Sequence, residues 1–384
     1  MRIAIDRNIP LAASAFKSLG DVVLLETTEF AAAAIREAEI LVIRSETRVS
    51  RDLLEGTSVR FVGTATIGTD HLDIPYLHAR GIEFVSAPGS NANSVKEYVL
   101  AAMLSLAARR GFALRGKTLG IVGIGNVGSK VARAARELGM RVLQNDPPLA
   151  RAGGSAAFVA LDELMAADIL TLHVPLTRTG TDATYHLFDA RRIAAMKPGS
   201  ILINTSRGAV VEAEALKNAL IDGHCSAAVL DVWEGEPTID TDLLQRAALA
   251  TSHIAGYSLD GKVNAVRMIR EAVCRFLAIS TPWDPAAELP PPGIPLLHVN
   301  YPGSDEDVLR KAILRCYDIE LDDRQLRGIL DVPPERRGPY FMKLRTGYRV
   351  RREFSRTQVE FSEGKESLRP LFNALGFAVE SHAL

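Results

Sequence analysis

The sequence predicts an α/β protein with two doubly wound parallel sheets and a small α+β domain at its carboxyl end. Short apolar runs alternate with helical patterns as far as about residue 280, as expected of successive βα units. The proline-crowded segment 280–295, STPWDPAAELPPPGIP, reads as a linker, and the segment after it has a mixed pattern. A chain of 384 residues is long enough for two or three such domains.

The predicted strands fall into two groups, which indicates two sheets with separate cores. Their continuous runs of Val, Ile, Leu and Ala are typical of strands that are covered on both faces. The first group comprises 1–6, 21–26, 39–44, 60–66 and 82–87, and the second comprises 118–124, 141–146, 168–174, 200–206, 226–232 and 248–254.

A helix is predicted between the two groups, at Ser94–Arg110. Ser94 and Glu97 fit the S-x-x-E pattern of a capping box at its start. The helix is apolar almost all round, so we expect it to be buried between the two domains.

The overall composition favours a cytoplasmic protein and excludes several function classes. Lys and Arg number 45 against 46 Asp and Glu, so no nucleic-acid or membrane partner is expected. The three cysteines form no CxxC pair, which suits a reducing compartment. The amino terminus lacks the features of a signal peptide, and the most apolar helical stretch, 98–108, is too short to cross a bilayer.

A glycine-rich turn between the strand 118–124 and the next helix predicts a dinucleotide site. Gly123, Gly125 and Gly128 have the G-x-G-x-x-G spacing that allows a tight turn, close approach of a pyrophosphate, and helix–strand packing. Asp146 ends the next strand about 20 residues later, where a carboxylate binds the ribose hydroxyls and disfavours a 2′-phosphate. This predicts NAD rather than NADP; the alternative is a packing turn followed by a capping Asp.

Three polar residues lie at or just beyond the ends of later strands of the second group and suggest a catalytic set. They are Arg207, Glu236 and His253. Oxidation of a 2-hydroxy acid needs a cation for the carboxylate, a base for the hydroxyl proton, and a group that orients that base. Taken alone, Arg207 fits a structural ion pair, His253 a buried core histidine and Glu236 a solvated loop charge, so only the set supports the hypothesis.

Four motifs in order, GIVGIGNVG, INTSRGAVV, LDVWEGEP and ATSHIAGYS, resemble those of the D-isomer-specific 2-hydroxyacid dehydrogenases over about the first 280 residues. The resemblance implies a flavodoxin-like substrate domain, a Rossmann domain, NAD as cofactor and no metal ion. It assigns catalysis to Arg207, Glu236 and His253, and it places Asp231 near the nicotinamide. The cleft between the two domains is then expected to close over the substrate.

Further segments, RSETRVS, TATIGTDHLD, NDPP and GYRVRREF, resemble one branch of this family. That branch oxidises 4-phospho-D-erythronate to its 2-oxo acid in pyridoxal phosphate biosynthesis and adds a carboxyl-terminal dimerisation domain, which implies a homodimer. The implied domains are 1–93 and 258–284 for substrate, 94–257 for NAD and 285–384 for dimerisation. The implied substrate contacts are Ser45, Thr66 and Tyr257, and the implied NAD contacts are Asn126, Val127, Asp146, Ser206, Asp231 and Gly256.

A phosphorylated substrate requires a cationic or donor-rich subsite. Arg44, beside Ser45 at the end of a predicted strand, is one candidate. The tail holds a second group of cations, from which we expect Arg345 or a neighbour to reach the partner subunit's cleft; solvated surface charge is the alternative. The group comprises Lys343, Arg345, Arg349, Arg351, Arg352 and Arg356.

Two other functions remain open at this point. The core motifs are shared with dehydrogenases that act on phosphoglycerate, glyoxylate or hydroxypyruvate. A different class, an NAD-sensing protein that binds other proteins as the carboxyl-terminal binding corepressors do, can retain the same three catalytic residues. The appended tail favours the branch above, and activity with a panel of hydroxy and oxo acids would distinguish these functions.

Overall fold

The computed structural model describes residues 1–153 and 158–380. The chain forms two compact units, Met1–Asn91 with Ser258–Pro291, and Ala92–Tyr257 with Pro292–Leu384. The second unit includes the tail that the sequence sets apart as a third domain. The predicted domain boundaries and the role of the tail in dimerisation stay predictions.

The described strands follow the predicted runs closely and are shorter at their ends. They are β1 Arg2–Asp6, β2 Asp21–Leu25, β3 Ala38–Ile43, β4 Phe61–Thr64, β5 Glu83–Val85, β6 Thr118–Val122, β7 Arg141–Asn145, β8 Ile169–Leu172, β9 Ser200–Asn204, β10 Cys225–Leu230, β11 Leu249–Ala250, β12 Leu296–Val299, β13 Gln358–Phe361 and β14 Ala378–Val379.

The described α-helices alternate with the strands through most of the chain. They are α1 Ala12–Phe16, α2 Arg51–Leu54, α3 Ile74–Ala79, α4 Ala92–Arg110, α5 Asn126–Glu137, α6 Pro147–Arg151, α7 Leu161–Leu164, α8 Ala190–Ala195, α9 Ala213–Ile221, α10 Thr241–Arg246, α11 Leu259–Phe276, α12 Asp305–Cys316, α13 Ile319–Arg327, α14 Pro334–Thr346 and α15 Arg369–Leu375. Short 3₁₀ turns lie at Thr27–Glu29, Gly208–Val210, Ala286–Glu288, Gly328–Asp331, Phe354–Arg356 and Glu366–Leu368.

The first unit is a doubly wound sheet with the order β2-β1-β3-β4-β5, and all of its strand pairs are parallel. This is the flavodoxin-like order. The returning helix α11 packs on β4, where Ile269 lies so close that a Cβ on Gly63 would stand 2.4 Å from its Cγ2. Glycine is therefore required at that strand position.

The second unit contains a parallel sheet of order β11-β10-β9-β8-β6-β7. Phe158 forms a parallel bridge with Gln144 of β7, which extends the sheet by one residue beyond β7. The strand order is that of a Rossmann fold. The chain leaves β6 for β7 on one side and later returns to β8 on the other. The glycine-rich turn follows β6, so it lies at the switch point where open α/β sheets bind ligands.

The tail contributes three parallel strands, β12-β13-β14, and helices α12 to α15. Its apolar side chains join the core formed by α4 and α5; examples are Val308, Ile313 and Phe372, each fully buried. Within residues 1–153 and 158–380, none of the helices is both long and apolar enough for a membrane span.

Helix α4 begins at Ala92, so the predicted capping box is wrong. Ser94 lies inside the first turn, and its hydroxyl donates to Glu353 Oε1 at 2.9 Å. Glu97 is 2% exposed, and its Oε1 accepts the N–H of Phe354 at 2.9 Å. Both side chains bind the tail instead of capping the helix. The motif fails because the groups that cap a helix serve equally well as partners for a distant segment.

Candidate active site

The three glycines after β6 serve three different purposes. Gly123 has a φ of 88°, and a Cβ there would lie 2.6 Å from the carbonyl oxygen of His173. A Cβ on Gly128 would lie 1.9 Å from the carbonyl oxygen of Gly123. A Cβ on Gly125 would meet nothing within 4 Å. Two of the glycines are therefore required by the protein itself, and the third leaves open space at the start of α5.

Asp146 follows β7 and holds the glycine-rich turn. Its Oδ2 accepts the N–H of Ile124 at 2.8 Å, and its Oδ1 accepts the N–H of Leu149 at 3.0 Å as the cap of α6. The alternative interpretation, that Asp146 caps a helix, is thus part of its role. A carboxylate has about four acceptor positions, so these two bonds leave capacity for ribose hydroxyls.

These residues fit a bound NAD. Asn126 and Val127 open α5, whose first N–H groups lack partners within the helix and suit a pyrophosphate. The exposed Gly125 leaves room for it, and Asp146 stands at the end of the adjacent strand. The fit rests on these three features together.

The predicted catalytic residues follow three neighbouring strands. Leu230 of β10 pairs with Asn204 of β9 and with Ala250 of β11, so the carboxyl ends of these strands lie side by side. The loops that leave them carry the residues predicted to act in catalysis, which are Arg207, Glu236 and His253. The sheet therefore brings all three loops to one edge.

His253 and Glu236 form a direct pair. The Nδ1 of His253 lies 2.8 Å from Oε2 of Glu236, and the two side chains are 31% and 20% exposed. Oε1 of Glu236 accepts the N–H of Trp233 at 2.8 Å. Burial favours a raised pKa for Glu236, but the bond and charge of His253, the Trp233 N–H and the charge of Arg345 outweigh it and lower that pKa. Glu236 is thus an ionised acceptor, and Nε2 of His253 faces away from it.

Arg207 lies in a loop that is fixed against the Glu236 loop. Its Nη1 donates to the Ser206 carbonyl at 2.9 Å, and its own carbonyl accepts from Nδ2 of Asn204 at 3.0 Å. A Cβ on the following residue, Gly208, would stand 1.9 Å from the backbone carbon of Trp233. The backbones that carry Arg207 and Glu236 are therefore in contact.

Ser206 and Asp231, both predicted to contact NAD, are also parts of the protein's own framework. The Ser206 hydroxyl donates to Oδ1 of Asn204 at 2.7 Å. Asp231 is 1% exposed and accepts the N–H groups of Ile254 and Ala255 at 2.8 and 3.0 Å. Burial raises the pKa of Asp231, against the opposing charge of His253 and these hydrogen bonds. Gly256 follows directly, so Asp231 fixes the segment between His253 and Gly256.

Sequence reasoning missed three polar residues of this edge. Asn204 and Thr251 are buried and connect the loops, and His173 follows β8. The two ring nitrogens of His173 bond the hydroxyls of Thr171 and Thr205 at 3.0 and 3.2 Å, and burial lowers the pKa of His173 to about 3. Their position at strand ends was the available signal, the same one that points to Arg207, Glu236 and His253.

The substrate contacts that the resemblance implies lie in both units. In the first unit, Ser45 is exposed, and the neighbouring Arg44, the separate candidate for the phosphate, pairs through Nε with the fully buried Asp6 at 3.1 Å. Thr66 bonds the Thr64 hydroxyl at 2.7 Å. In the second unit, the Tyr257 hydroxyl accepts a hydrogen bond from Nη2 of Arg345 at 3.2 Å.

Comparisons with known proteins found matching family models and relatives. Residues 90–255 match the family model described as "D-isomer specific 2-hydroxyacid dehydrogenase, NAD binding domain", and residues 289–376 match a model described as a domain of unknown function. The chain is 46% identical to erythronate-4-phosphate dehydrogenase of Salinibacter ruber, over 94% of each chain. It is 44% identical to the enzyme of the same name from Cronobacter sakazakii, over 100% of each.

A solved structure gives the same picture of the fold. D-lactate dehydrogenase from Aquifex aeolicus, complexed with NAD and lactic acid, is 25% identical with a TM-score of 0.59. The match covers 72% of this chain and 96% of that one. The part of this chain beyond the shared fold corresponds in extent to the tail.

Proposed function

The chain belongs to the erythronate-4-phosphate dehydrogenases of the D-isomer-specific 2-hydroxyacid dehydrogenase family, and from this we propose that it oxidises 4-phospho-D-erythronate at C2 with NAD. The product is the 2-oxo acid, 3-hydroxy-2-oxo-4-phosphobutanoate, in pyridoxal phosphate biosynthesis. The observation that carries the proposal is the His253–Glu236 pair, 2.8 Å apart, on the strand edge that also carries Arg207.

In this proposal His253 is the base. Its Nδ1–H donates to the ionised Glu236, which leaves the lone pair on Nε2 to take the proton of the C2 hydroxyl. Glu236 is held in turn by the Trp233 N–H, so the imidazole keeps one tautomer and one orientation. The carboxylate also stabilises the imidazolium that forms.

Arg207 binds the substrate carboxylate and polarises the C2 oxygen. A guanidinium suits this role because its fork of donors matches a carboxylate and stays charged at every physiological pH. When bound, NAD supplies the hydride acceptor. The residues proposed to hold it are Gly123, Gly125, Asn126, Val127, Gly128, Asp146, Ser206, Asp231 and Gly256.

Ser45, Thr66 and Tyr257 are proposed to contact the substrate, since they match the positions of the family's substrate residues. Arg44 is proposed as a further substrate contact because it is a cation beside Ser45 at the end of β3. The partner of Arg44, Asp6, fixes its guanidinium. A homodimer formed through the tail is part of the same proposal, as is a cytoplasmic location, which the free thiols of Cys225, Cys274 and Cys316 favour.

The test is NADH formation with 4-phospho-D-erythronate, compared with 3-phosphoglycerate, glycerate and lactate, and NADH consumption with glyoxylate and hydroxypyruvate. We expect kcat/KM for 4-phospho-D-erythronate to exceed that for each acid without a phosphate by at least about 100-fold, because a lost contact to a charged group costs about 1.5–3 kcal/mol. 3-Phosphoglycerate keeps both charged groups but is one carbon shorter, so we expect a lower kcat/KM for it as well. A higher kcat/KM for another acid would identify that acid as the substrate in place of 4-phospho-D-erythronate. No turnover with any of them would favour an NAD-sensing role.

A control variant connects the activity to the site. His253→Ala is expected to lose at least about 10³-fold in kcat, as removal of a general base does, while it still binds NADH. NADH binding is read from the quenching of protein fluorescence. If His253→Ala kept most of the wild-type kcat, the assignment of the base would be wrong.

A further inference from the structure

We propose that Arg345 and Tyr257 form the subsite that binds the substrate's phosphate, and that both come from the same chain. The inference rests on the proposed function and adds a specificity role for the tail. The sequence predicts that Arg345 or a neighbour reaches the partner subunit's cleft, which stays a prediction; within the single chain, Arg345 hydrogen-bonds Tyr257.

Tyr257 ends the segment that carries the base. Its N–H donates to the Ile254 carbonyl at 2.8 Å, and it follows His253 by four positions. Its ring meets the ring of Tyr348 edge-on, with 6.1 Å between centroids, and Tyr348 is fixed by a hydrogen bond of 2.8 Å to Asp322. The phenol is therefore supported from the tail side and stands next to the catalytic segment.

Arg345 lies in the last turn of α14, and its guanidinium contacts Tyr257 in two ways. Nη2 donates to the Tyr257 hydroxyl at 3.2 Å, and Cζ lies 5.8 Å from the centre of the ring. The charge of Arg345 also contributes to the lowered pKa of Glu236. The guanidinium is therefore held against the segment that carries His253, and its charge acts on the catalytic pair.

Other cations of the tail have roles inside the protein. Arg349 pairs with Asp322, and the buried Arg351 donates to the carbonyls of Ser94 and Ala255 at 3.3 and 2.9 Å. Lys343, two residues before Arg345, is exposed. Arg345 is distinguished by its partial burial beside a neutral hydroxyl of the catalytic segment.

A guanidinium beside a phenol is suited to a phosphate dianion. The planar donors of Arg bind two phosphate oxygens at once, and Tyr257 can donate its own proton while it accepts from Arg345. Arg207 remains for the carboxylate. The two ends of the substrate would thus be held by two arginines, with the C2 hydroxyl between them at His253.

The test measures discrimination between 4-phospho-D-erythronate and D-erythronate. In Arg345→Gln, the ratio of their kcat/KM values is expected to fall by about 10- to 150-fold, the range for one lost charge-assisted hydrogen bond. Arg345→Lys should lie between this variant and wild type, because Lys keeps the charge without the fork. Tyr257→Phe should lower the ratio by about 3- to 10-fold. Lys343→Gln, the matched control on the same helix, should keep the wild-type ratio.

Two outcomes would overturn the subsite. One is an unchanged ratio in Arg345→Gln. The other is an equal loss for both substrates, which would mean that Arg345 acts only through Glu236. Failure of the proposed function is a separate result, because it appears as missing activity of the wild-type enzyme with 4-phospho-D-erythronate. Thermal unfolding of each variant shows whether it is folded.

Mixed assemblies test whether both residues come from one chain. When Arg345→Gln and His253→Ala chains are coexpressed, a subsite within one chain leaves no site with both residues intact. Activity of the purified mixture should then not exceed that expected from its Arg345→Gln chains. Recovery toward wild-type kcat/KM would place Arg345 in the partner's site and overturn the one-chain assignment.

Discussion

The hydroxyl of Thr251 donates to Oδ1 of Asp231 at 2.6 Å, and this bond joins the chain after β11 to the chain after β10. Asp231 also accepts the N–H groups of Ile254 and Ala255, and these bonds fix the backbone directly after His253. Between these anchors, His253 adopts a φ of 58°, in the left-handed region that costs a non-glycine residue free energy. The position of the catalytic imidazole therefore depends on a buried carboxylate that two neighbouring segments share.

Asp231→Asn is expected to destabilise the protein by about 1–3 kcal/mol, because an amide offers one acceptor oxygen where the carboxylate satisfies three donors with two. Urea denaturation measures the loss. Thr251→Ser, which retains the hydroxyl, is the control and should lose much less. The proposed contact of Asp231 with NAD is a second role; an Asp231→Asn protein with wild-type stability and weakened NADH binding would retain that role and contradict the structural one.

Glu236→Gln tests the pairing of Glu236 with His253. The amide can present its NH₂ to Nδ1 and so favour the wrong tautomer, and it no longer stabilises the imidazolium. We expect kcat to fall by about 10²- to 10⁴-fold, with NADH binding retained. Steady-state kinetics measures the change.

Glu234→Gln is the matched control for that variant. Glu234 lies in the same loop and binds His186 Nε2 at 2.6 Å, a pair with the same chemistry at another position. Its loss should change kcat by less than about 5-fold, since it lacks a place in the proposed reaction. Equal losses in the two variants would mean that the loop, rather than the His253 pair, determines the rate.

The sequence was sufficient for the strands and for the residues that follow them. Continuous apolar runs indicate buried parallel strands, and the carboxyl ends of such strands meet at one edge, so Arg207, Glu236 and His253 could be grouped without coordinates. Contacts between distant segments were not accessible. The pairing of Glu97 with Phe354 joins residues far apart in sequence, and no local pattern encodes it.

The same limit explains what was missed within the site. Asn204 lies at the end of an apolar strand, where its amide looks like an isolated polar residue, yet it bonds Ser206 and the Arg207 carbonyl. The role of Asp231 as a backbone acceptor likewise depends on where Ile254 returns in the fold. Buried polar groups need partners, but the sequence does not say which partners they have.

Replacement by Ala is expected to weaken NADH binding at Gly125 and to lower stability at Gly128. Gly128→Ala would place its Cβ 1.9 Å from the Gly123 carbonyl, so the turn and α5 must separate, and we expect a loss of several kcal/mol in stability. Gly125→Ala has open space and should fold normally, but its methyl occupies the approach of a pyrophosphate. Thermal unfolding and NADH titration distinguish the two. Equal stability of both variants would contradict the close packing at Gly128.

Asp146→Asn tests how the protein selects NAD over NADP. Removal of the charge should raise the ratio of kcat/KM with NADP to that with NAD by at least about 10-fold, since a 2′-phosphate is no longer repelled. Asn keeps only one acceptor oxygen, so it can serve the N–H of Leu149 or that of Ile124 but not both, and we expect the stability to fall by about 1–3 kcal/mol. Steady-state kinetics with each cofactor gives the ratio. An unchanged preference would show that another group excludes the phosphate.

Glu97 makes the stability of the protein depend on pH. Burial raises the pKa of Glu97 to about 8; Lys96, Arg351 and the Phe354 N–H oppose the rise, and Glu353 adds to it. A carboxyl group with a raised pKa in the folded state favours folding at low pH, and this contribution is lost as the pH rises from the ordinary value of the unfolded chain through about 8. Glu97→Gln cannot ionise, so its free energy of unfolding does not fall with rising pH for this reason.

The expected result is a difference between wild type and Glu97→Gln that grows with pH. Relative to the variant, the wild-type free energy of unfolding should fall between pH 5.5 and 8.5 by at most about 1.4 kcal/mol per pH unit, the limit for one proton. Urea denaturation at each pH measures it. Glu363→Gln, at an exposed carboxylate, should run parallel to wild type over the same range. If the Glu97→Gln curve were also parallel, the buried carboxyl group would not change its protonation when the protein unfolds.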